Sequence, residues 1–434
     1  MNTAKVAIIG FGTIGSGVAR LLLEQHERIS RQAGRRVELV RVVDPDIGRP
    51  RNVQLPPGML TADVNQVLSD PEITAVVQLI GGLEPDRSIM LRVLESGKDV
   101  ITANKALLAE HGAELFDRAR QLGRCIAFEA AVAGGVPIIA AINESLTANQ
   151  IQSIHAILNG TSNFILTQMD EHGTGYKAAV AEAQRRGYAE ANPTLDVDGS
   201  DAAQKLAILA HLAFGARVAW RDIPRAGIAT VQVADMRYAK ELGYAIKLLA
   251  VAELGSDGLE LYVTPTLVRR GSLLAEVRGA YNAIRVVGDA VGHVFFQGLG
   301  AGQMPTASAV VADLINTLLG RTAITFRASG LWSDARKAVS AAREPAKIPG
   351  RFYLRLNADD KPGVMAELTG VLARHEISIA SVIQHETEEE ENRGTVPVVI
   401  MTHVAAEGAM AAAIEAFDKL HCVRSGIVRM RVEK

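Results

Sequence analysis

A glycine-rich loop between two apolar stretches places the strongest constraint on the fold of this chain. Residues 10–15 read Gly-Phe-Gly-Thr-Ile-Gly, directly after the apolar run 6–9 and directly before a stretch of helical periodicity. Such glycines permit a tight turn, a close approach of a pyrophosphate to the backbone, and packing of the helix on the strand. We therefore predict a dinucleotide-binding loop made of Gly10, Gly12, Thr13, Ile14 and Gly15. The alternative is a purely structural glycine turn.

Short β-branched runs alternate with helical stretches around this loop. The expected strands cover residues 6–9, 37–43, 75–80, 99–102 and 125–128. Helical patterning covers 84–96, where Pro85 suits a first turn, and 105–122. This alternation predicts βαβ units in a doubly wound, parallel α/β sheet of the Rossmann type over residues 1–135. Asp44 ends the second strand, where a carboxylate that binds the ribose of a dinucleotide belongs.

The pattern changes after residue 135. A strand at 151–158, several helix candidates and β-rich stretches at 245–253, 259–264, 284–287 and 294–296 predict a mixed α+β domain over residues 136–299. Residues 306–319 return to a helix, with Pro305 just ahead of it. Residues 326–350 contain Pro345, Pro349 and Gly350, which break regular structure, so we expect a linker there.

The last part of the sequence, residues 351–434, has the pattern of a βαββαβ unit. Strands are expected at 352–356, 377–384, 395–402 and 423–432, and helices at 366–374 and 408–420. Residues 359–364 form the expected turn into the first helix, where free backbone N–H groups can bind a carboxylate. The acidic run 388–391 is interpreted as a solvated hairpin loop.

The charge balance argues against a polyanionic partner. The 434 residues include 46 basic and 48 acidic side chains, for a net charge of -2, and 48% of the residues are hydrophobic. These values are ordinary for a globular protein and provide no attraction to nucleic acid or to an anionic membrane. Small molecules are therefore the expected partners.

The sequence also bears on the compartment. It has no run of about 18 apolar residues, the minimum for a membrane-spanning helix, and residues 1–9 lack the pattern of a signal peptide. We expect a cytoplasmic protein. Cys125 and Cys422 lie far apart, which fits neither a zinc site nor a disulfide framework, so we expect two buried free thiols.

Two lysines are candidates for acid–base chemistry on a carbonyl substrate. Lys105 follows Thr102 at the C-terminal end of an expected parallel strand, the edge at which open α/β sheets bind ligands. A lysine there could protonate the alkoxide that forms when a nicotinamide cofactor reduces a carbonyl. The alternative is an ordinary surface lysine at the start of a helix.

The second lysine belongs to a dense polar segment. Glu190, Asp196, Asp198 and Asp201 lead into an apolar helix that carries Lys205, four residues after Asp201 and on the same helical face. An acidic first helical turn with one ion pair explains Asp201 and Lys205, but not the three preceding carboxylates. A calcium loop is the other alternative, but Asp201 stands where that pattern requires glycine.

At these residues the chain resembles homoserine dehydrogenases with a C-terminal ACT domain, which reduce aspartate semialdehyde to homoserine with NADH or NADPH. The motifs that carry the resemblance occur in family order at residues 10–15, 102–105, 129–137, 158–166, 190–205 and 300–309, and at 360–368 for the ACT domain. The resemblance implies that residues 300–325 rejoin the nucleotide-binding domain, and that 136–299 bind substrate and support oligomerisation.

The resemblance also implies roles for the polar residues. It places the substrate ammonium at Glu190 and puts Asp196 and Asp201 in the substrate site. Lys205 and Lys105 are expected to assist proton transfer. We favour Lys205 as the proton donor, with Asp201 orienting it, although the sequence leaves the choice between the two lysines open.

Further contacts are expected from two glycine-containing segments. Gly160 and Thr161, within the turn 159–163, are expected to contact the substrate, although a capped helix start explains this motif adequately. Thr102, Lys105 and Gly302 are expected to join the glycine loop and Asp44 in binding the cofactor.

The expected cofactor is NAD(P)H, and Asp44 bears on the choice between NAD and NADP. NADP-preferring members of the family often carry an arginine at the end of the second strand, where this chain has Asp44. A carboxylate accepts hydrogen bonds from the ribose hydroxyls and repels a 2′-phosphate. We predict that NAD is used at least as well as NADP, unless Arg49 or Arg51 reaches the phosphate.

The resemblance further suggests a monovalent cation, sodium, near Glu129, Val132, Gly134 and Val136. A glycine-rich turn can present several carbonyl oxygens to one point, and Glu129 would add a negative charge. The alternative is a tight connection ahead of the helix that begins near Pro137.

The ACT domain is expected to bind an amino acid, threonine, and thereby to lower activity at the distant site. The alternative is a module used only for dimerisation. Either use predicts a homodimer or homotetramer, because an exposed sheet edge invites partners. Two other functions stay open, a different amino-acid dehydrogenase and a non-catalytic dinucleotide sensor, although a sensor has no need for Glu190, Asp201 and Lys205 together.

Overall fold

The computed structural model describes residues 3–333, 338, 341–385 and 394–433. The acidic run 388–391, interpreted above as a hairpin loop, lies outside the described residues. Within them, the strands are β1 (Thr3–Ile9), β2 (Arg36–Val43), β3 (Leu60–Thr61), β4 (Ile73–Gln78), β5 (Asp99–Thr102), β6 (Ile126–Ala127), β7 (Ile151–Ile157), β8 (Tyr244–Gly255), β9 (Gly258–Arg269), β10 (Tyr281–Gly288), β11 (Gly292–Leu299), β12 (Pro349–Asp359), β13 (Ile379–Gln384), β14 (Thr395–Thr402), β15 (Ala405–Ala406) and β16 (Val423–Val432).

The helices follow the same chain order. They are α1 (Thr13–Glu24), α2 (His26–Gln32), α3 (Asn65–Leu68), α4 (Asp86–Glu95), α5 (Lys105–Gln121), α6 (Ile138–Ala140), α7 (Gly160–His172), α8 (Tyr176–Arg185), α9 (Thr194–Val197), α10 (Ser200–Phe214), α11 (Val233–Glu241), α12 (Gln303–Leu318), α13 (Arg321–Ser329), α14 (Val364–Arg374) and α15 (Glu407–Phe417). Short 3-10 turns occur at Glu129–Ala131, Trp220–Asp222 and Pro345–Lys347, and a π-helical turn follows α6 at Ala141–Ser145.

Contacts divide the chain into two compact units. The first comprises Met1–Ile154, Asp201–Ile223 and Tyr281–Ser340, and the second comprises His155–Ser200, Pro224–Ala280 and Ala341–Lys434. The central region expected at 136–299 is thus divided between the units, and the C-terminal βαββαβ region shares a unit with part of it.

The first unit contains a six-stranded sheet in the order β3-β2-β1-β4-β5-β6. Every pairing in it is parallel, which confirms the Rossmann-type sheet predicted from the sequence. Strand β3 is not among the predicted strands; it consists of Leu60 and Thr61, which pair with the end of β2. Ile8, Val42 and Val77 are fully buried in the core of this unit. Strands β10 and β11 add an antiparallel hairpin to the same unit.

Helix α12 packs along α1 in the first unit. Gln303 Nε2 donates to Thr13 O at 3.0 Å and to Ser16 Oγ at 3.1 Å. A Cβ atom at Gly17 would lie 2.8 Å from Gln303 Cγ, so the helices can approach this closely because residue 17 has no side chain. The chain after residue 300 therefore lies against the nucleotide-loop helix.

The second unit contains the βαββαβ region, in which β12, β13, β14 and β16 form a sheet with the order β16-β12-β14-β13. Helices α14 and α15 pack on one face of it, around Phe352, Leu354 and Leu356. The sheet continues into the long hairpin of β8 and β9, because β16 pairs in parallel with β9 at Val432 and Leu267. The C-terminal strands and this hairpin thus share one sheet.

The other face of β12 makes a buried polar contact with helix α11. Alternate residues of a strand point to opposite faces, so Tyr353 and Arg355 face away from the core of α14 and α15. Tyr353 Oη donates to Asp235 Oδ1 at 2.9 Å. The Arg355 guanidinium binds both oxygens of the Asp235 carboxylate, at 2.7 and 3.1 Å. All three side chains are buried.

Two of the helix boundaries differ from the sequence prediction. Helix α4 begins at Asp86, so that Pro85 precedes the helix and does not belong to its first turn. Helix α12 begins at Gln303, which places Pro305 within the first turn and not ahead of the helix. A proline is tolerated there because the first N–H groups of a helix have no acceptor within it.

The linker expected at 326–350 also needs correction at both ends. Helix α13 continues to Ser329, because Phe326 is buried and stacks on Phe116 with ring centroids 5.2 Å apart. In the second unit, Leu259 donates to Ala341 O at 2.8 Å and accepts from Arg343 N at 2.9 Å. Residues 341–343 are therefore fixed along the start of β9.

Two further observations concern sequence expectations. Cys125 and Cys422 are buried free thiols. Within the described part of the chain no single helix is long and apolar enough to cross a membrane, although α12 and α13, bent by 90° between them, reach that length and composition as a pair.

Candidate active site

The glycine loop turns sharply between β1 and α1, and two of its glycines are required by close contacts. Gly10 has a φ of +98°, and a Cβ atom there would lie 2.7 Å from the backbone of Leu79 at the end of β4. A Cβ atom at Gly15 would lie 2.0 Å from Gly10 O. These contacts leave room for glycine alone, so this loop conformation requires glycine at positions 10 and 15.

The outer side of the loop is open. Gly12 is the N-cap residue of α1, and a Cβ atom there would meet no other atom within 4 Å. Thr13 is exposed and Ile14 is partly exposed at the first turn. The first N–H groups of a helix lack acceptors within it and carry partial positive charge. The loop therefore provides the open, N–H-lined surface that a pyrophosphate group requires.

Asp44 lies next to this loop. Its Oδ2 accepts from Phe11 N at 2.7 Å, and its Oδ1 accepts from Asp46 N at 2.9 Å. The Arg51 guanidinium pairs with the same Oδ1 at 2.9 Å and lies 4.9 Å from the centre of the Phe11 ring. The predicted ribose-binding carboxylate thus already has an arginine beside it.

The Thr-Ala-Asn-Lys segment lies at the carboxyl end of β5, as predicted. Thr102 is buried, and its Oγ1 accepts from Asn104 N at 3.1 Å. Asn104 caps α5 by accepting from Leu107 N at 3.1 Å, and its Nδ2 donates to Gly82 O at 2.6 Å. Asn104 therefore fixes the start of α5 and, with it, Lys105; its place directly before a helical stretch is the signal by which it could have been assigned.

Lys105 and Lys205 meet at the carboxylate of Asp201. Lys205 Nζ donates to Asp201 Oδ2 at 2.7 Å, one turn along α10, and both side chains are buried. Lys105 Nζ lies 3.3 Å from the other oxygen, Asp201 Oδ1. The predicted ion pair on one helical face is present, and a second lysine from another helix joins it. One buried carboxylate thus holds two ammonium groups side by side.

In the second unit, the turn at 159–163 is built around Asn159 and Asp196. Asn159 caps α7 by accepting from Ser162 N at 2.7 Å. Its Nδ2 donates to Asp196 Oδ1 at 2.7 Å, and Ser162 Oγ donates to Asp196 O at 2.7 Å. Thr161 Oγ1 donates to Tyr188 O at 2.6 Å. Asp196 therefore holds the first turn of α7 in place, a contact that the sequence did not reveal.

Glu190 stands apart from these contacts. It is exposed, and its backbone carbonyl accepts from Gln184 Nε2 at 3.2 Å. Within the described part of the chain its carboxylate has neither a hydrogen bond nor an ion pair. Its exposed charge is therefore available to a ligand.

Glu129, one of the expected cation ligands, uses its carboxylate at a helix start. Its two oxygens accept from Ile139 N and Ala140 N, each at 2.8 Å. Burial raises the pKa of Glu129 to about 7, although these backbone hydrogen bonds act in the opposite direction. Asp313, which accepts from Glu129 N at 2.8 Å, is also buried, and burial raises its pKa. The Glu129 carboxylate therefore binds the amides of α6.

The other expected ligands lie in a turn close to residue 300. Ala133 and Gly134 both have positive φ, +56° and +50°, which curls the backbone between Val132 and Val136. Gly135 N donates to Leu299 O at 3.0 Å, and a Cβ atom at Gly134 would lie 2.4 Å from Gly300 O. The nearby Gly302 has a φ of +126° and is the N-cap residue of α12. This turn and the start of α12 are thus packed together within the first unit.

Comparison with known proteins decides the family. Residues 10–129 match the NAD-binding domain of homoserine dehydrogenase, residues 137–315 match the homoserine dehydrogenase family, and residues 352–422 match the ACT domain. The homoserine dehydrogenase of Pseudomonas aeruginosa is 44% identical over 444 residues, covering 100% of both chains. This chain belongs to the homoserine dehydrogenase family.

Solved structures agree with this assignment. The homoserine dehydrogenase of Thiobacillus denitrificans is 41% identical and superimposes with a TM-score of 0.90, covering 100% of this chain and 99% of that one. A hyperthermophilic archaeal homoserine dehydrogenase in complex with NADPH is 26% identical, with a TM-score of 0.59, and covers 73% of this chain and 97% of its own. The protein is therefore an NAD(P)-dependent oxidoreductase, a homoserine dehydrogenase with an ACT domain, as the motifs predicted.

The geometry of the glycine loop makes a testable distinction between two of its residues. Gly15→Ala should lower the melting temperature, because the new methyl group collides with Gly10 O; overpacking of this kind typically costs about 1–3 kcal/mol. Gly12→Ala, the matched control, has room for its methyl group in the free protein and should melt close to the wild type while binding NAD(P)H more weakly. Calorimetry and cofactor fluorescence titration measure the two effects. A stable Gly15→Ala variant would contradict the geometry.

Proposed function

We propose that Lys205 protonates the oxygen of L-aspartate 4-semialdehyde during its reduction to L-homoserine, with Lys105 assisting. The observation that carries this proposal is the buried carboxylate of Asp201 between two ammonium groups, at 2.7 Å from Lys205 and 3.3 Å from Lys105. A positioned ammonium can donate a proton to a developing alkoxide. Its positive charge also stabilises that alkoxide, more strongly in a buried site than in water.

Lys205 and Asp201 have separate tasks in this scheme. The reduced nicotinamide, when bound, supplies the hydride to the aldehyde carbon. Lys205 donates its proton to the oxygen. Asp201 keeps the Lys205 ammonium oriented through the hydrogen bond along α10 and holds Lys105 beside it. Two like charges this close need the carboxylate between them, so Asp201 is essential to the arrangement.

Substrate binding is proposed for the second unit. Glu190 binds the substrate ammonium, which its exposed carboxylate supports. Gly160 and Thr161 contact the substrate from the first turn of α7, whose capping by Asn159 leaves the turn well fixed. Asp196 acts indirectly, since its carboxylate binds Asn159.

Substitutions should separate these two roles. Lys205→Ala should lower kcat by roughly two to four orders of magnitude, the range for a lost general acid, with cofactor binding retained. Glu190→Gln should raise the KM for aspartate semialdehyde by about 10-fold or more, because the substrate ammonium loses its countercharge. Lys177→Ala, at an exposed position of helix α8, is the control and should leave both constants unchanged. If Lys205→Ala and Glu190→Gln both keep near-normal kinetics, the polar segment 190–205 has only a structural role.

For the cofactor, we propose that NAD is used at least as well as NADP. The residues present fit a dinucleotide, because the loop has an open face at Gly12 and Asp44 stands beside it. Asp44 can accept from ribose hydroxyls and repels a 2′-phosphate. Its pairing with Arg51 offsets part of that repulsion, so Arg51 determines how much NADP is tolerated.

Steady-state kinetics with both cofactors measure this preference. The wild type should give a kcat/KM for NADH equal to or above that for NADPH. Arg51→Gln should reduce the use of NADPH more than that of NADH, because it removes the guanidinium beside Asp44. A large advantage of NADPH in the wild type, persisting in Arg51→Gln, would refute the assignment of Asp44.

We also propose that sodium binds at the turn 129–136 through backbone carbonyl oxygens. The carboxylate of Glu129, which accepts from two amides of α6, adds a negative charge beside the turn. The curled backbone at Ala133 and Gly134 supports the proposal. Activity should then be higher in sodium chloride than in choline chloride at equal ionic strength. Equal activity in the two salts would contradict the proposal that sodium contributes to activity.

For the ACT domain we propose threonine as the effector and self-association as the quaternary state. The turn into α14 has Gly363 at φ +93° as its N-cap residue, so the helix starts with N–H groups that can bind a carboxylate. Strand β13 is the edge of the sheet and supports pairing with a second copy, giving a homodimer or homotetramer. The cytoplasmic location stays a prediction.

Threonine titration of the intact enzyme tests the regulatory role. Inhibition should be saturable, and Gly363→Val should abolish it, because a branched residue is strained at this φ and displaces the helix start. Gly370→Ala, in the middle of α14 with only Arg374 near its Cβ position, is the control and should remain inhibited. If the wild type, Gly363→Val and Gly370→Ala are all insensitive to threonine, the ACT domain has no regulatory role for threonine, and dimerisation is its alternative role.

A further inference from the structure

One lysine of the second unit is buried without a carboxylate partner. Lys247 lies in the first half of β8, between the buried residues Ile246 and Leu248, and is 5% exposed. Lysine is almost never this buried unless it is paired. Within the described residues no carboxylate oxygen lies within 4.0 Å of its ammonium. The side chain therefore needs an explanation other than a salt bridge.

The ammonium binds two neutral oxygens. Lys247 Nζ donates to Val277 O and lies 3.4 Å from Asn163 Oδ1. Burial lowers the pKa of Lys247 to about 8. The charged groups that face it are Asp170 and Glu171 on α7, Arg270 at the end of β9, and Glu276 and Arg278 on the segment before β10.

Asn163 connects this lysine to the first turn of α7. Its Nδ2 donates to Val277 O at 3.2 Å and to Gly279 O at 2.8 Å. Its backbone N–H donates to Asn159 O at 3.2 Å, in the turn that Asn159 caps. The buried side chains of Lys247 and Asn163 thus form one hydrogen-bonded group with the backbone of Val277 and Gly279, next to the turn that carries Gly160 and Thr161.

Stability alone does not account for the lysine. A methionine has a similar shape and would fill the same space without the cost of a buried charge. A lysine that binds Val277 O and Asn163 Oδ1 at once fixes their separation, which an apolar side chain cannot do. The lysine therefore serves to hold Val277 O and Asn163 Oδ1 at a defined separation.

We propose that Lys247 is a positioning residue for the reaction: its ammonium fixes Asn163 and residues 277–279, and so sets the first turn of α7 where Gly160 and Thr161 meet the substrate. This inference rests on the substrate role proposed for Gly160 and Thr161. It assigns Lys247 no contact with the substrate or the cofactor.

Steady-state kinetics of Lys247→Met test the proposal. The KM for aspartate semialdehyde should rise by about 10-fold, in line with the loss of a hydrogen bond to a charged group, while kcat changes by less than about twofold and the KM for the cofactor stays constant. Lys247→Gln keeps a donor and should lie between the wild type and Lys247→Met. Lys177→Met is the exposed control. An unchanged KM in folded Lys247→Met, or a parallel loss in substrate and cofactor constants, would overturn the proposal.

A stability measurement separates positioning from a merely structural role. Because the pKa of Lys247 is lowered from 10.5 to about 8, the unfolded chain holds this proton more tightly between these pH values, and wild-type stability should rise with pH across that window relative to Lys247→Met. Below pH 8 the variant should melt at or above the wild-type temperature while keeping its raised KM. If Lys247→Met is less stable than the wild type at every pH and has an unchanged KM, Lys247 has only a structural role.

Two further variants distinguish the failure of this inference from the failure of the substrate assignment. Thr161→Val should raise the KM for the substrate; if it does not, the proposed substrate role of this turn is wrong. If Thr161→Val raises the KM and Lys247→Met does not, the role of Lys247 is wrong. Asn163→Ala should raise the KM, and adding Lys247→Met to it should have no further effect, since both act through the same contact. Additive effects would contradict a path through Asn163.

Discussion

The arrangement of the two candidate catalytic lysines depends on the carboxylate of Asp201. Lys105 and Lys205 come from helices far apart in the sequence, and two ammonium groups repel each other. Asp201 binds both, at 3.3 and 2.7 Å, in a buried position where the attraction is screened less than in water. The same contact fixes α5 relative to α10 in the first unit. Asn104 independently fixes the start of α5, where Lys105 lies. The Lys105 side chain is therefore held at its backbone end by Asn104 and at its ammonium end by Asp201.

The ACT domain is joined to helix α11 and strand β9 of the second unit by buried charges as well as by a shared sheet. Asp235 is neutralised by Arg355, and Glu260 by Arg431, whose guanidinium also binds Glu407. Removing one partner of a buried ion pair typically costs about 3–5 kcal/mol, because the other charge is left without compensation. The ACT domain is therefore a structural part of this unit, joined to it by a shared sheet and by buried ion pairs. For this reason, substitutions in the intact chain test regulation more cleanly than removal of the ACT domain.

Local patterns predicted most of the fold, and long-range contacts explain what they missed. The Gly10–Gly15 motif and the four-residue spacing of Asp201 and Lys205 are local, so their geometry follows from the loop and the helix alone. The pairing of Lys105 with Asp201 and the docking of Arg355 on Asp235 depend on packing between distant segments, for which one sequence carries no signal. The commitment of Glu129 to the amides of α6 was missed for the same reason. Lys247 was visible as a single charge within an apolar strand, but its partners were not.

The buried charges of this enzyme share a physical logic. Asp201, Asp235 and Lys247 each cost desolvation free energy that an apolar side chain would avoid, and each holds two or more groups at a fixed separation. An apolar contact tolerates sliding, whereas a hydrogen bond to a charge has a preferred distance and direction. Hydride transfer needs the substrate carbonyl within a few tenths of an ångström of its productive position. Asp201, Asp235 and Lys247 therefore each hold neighbouring groups at a separation that an apolar side chain would not fix.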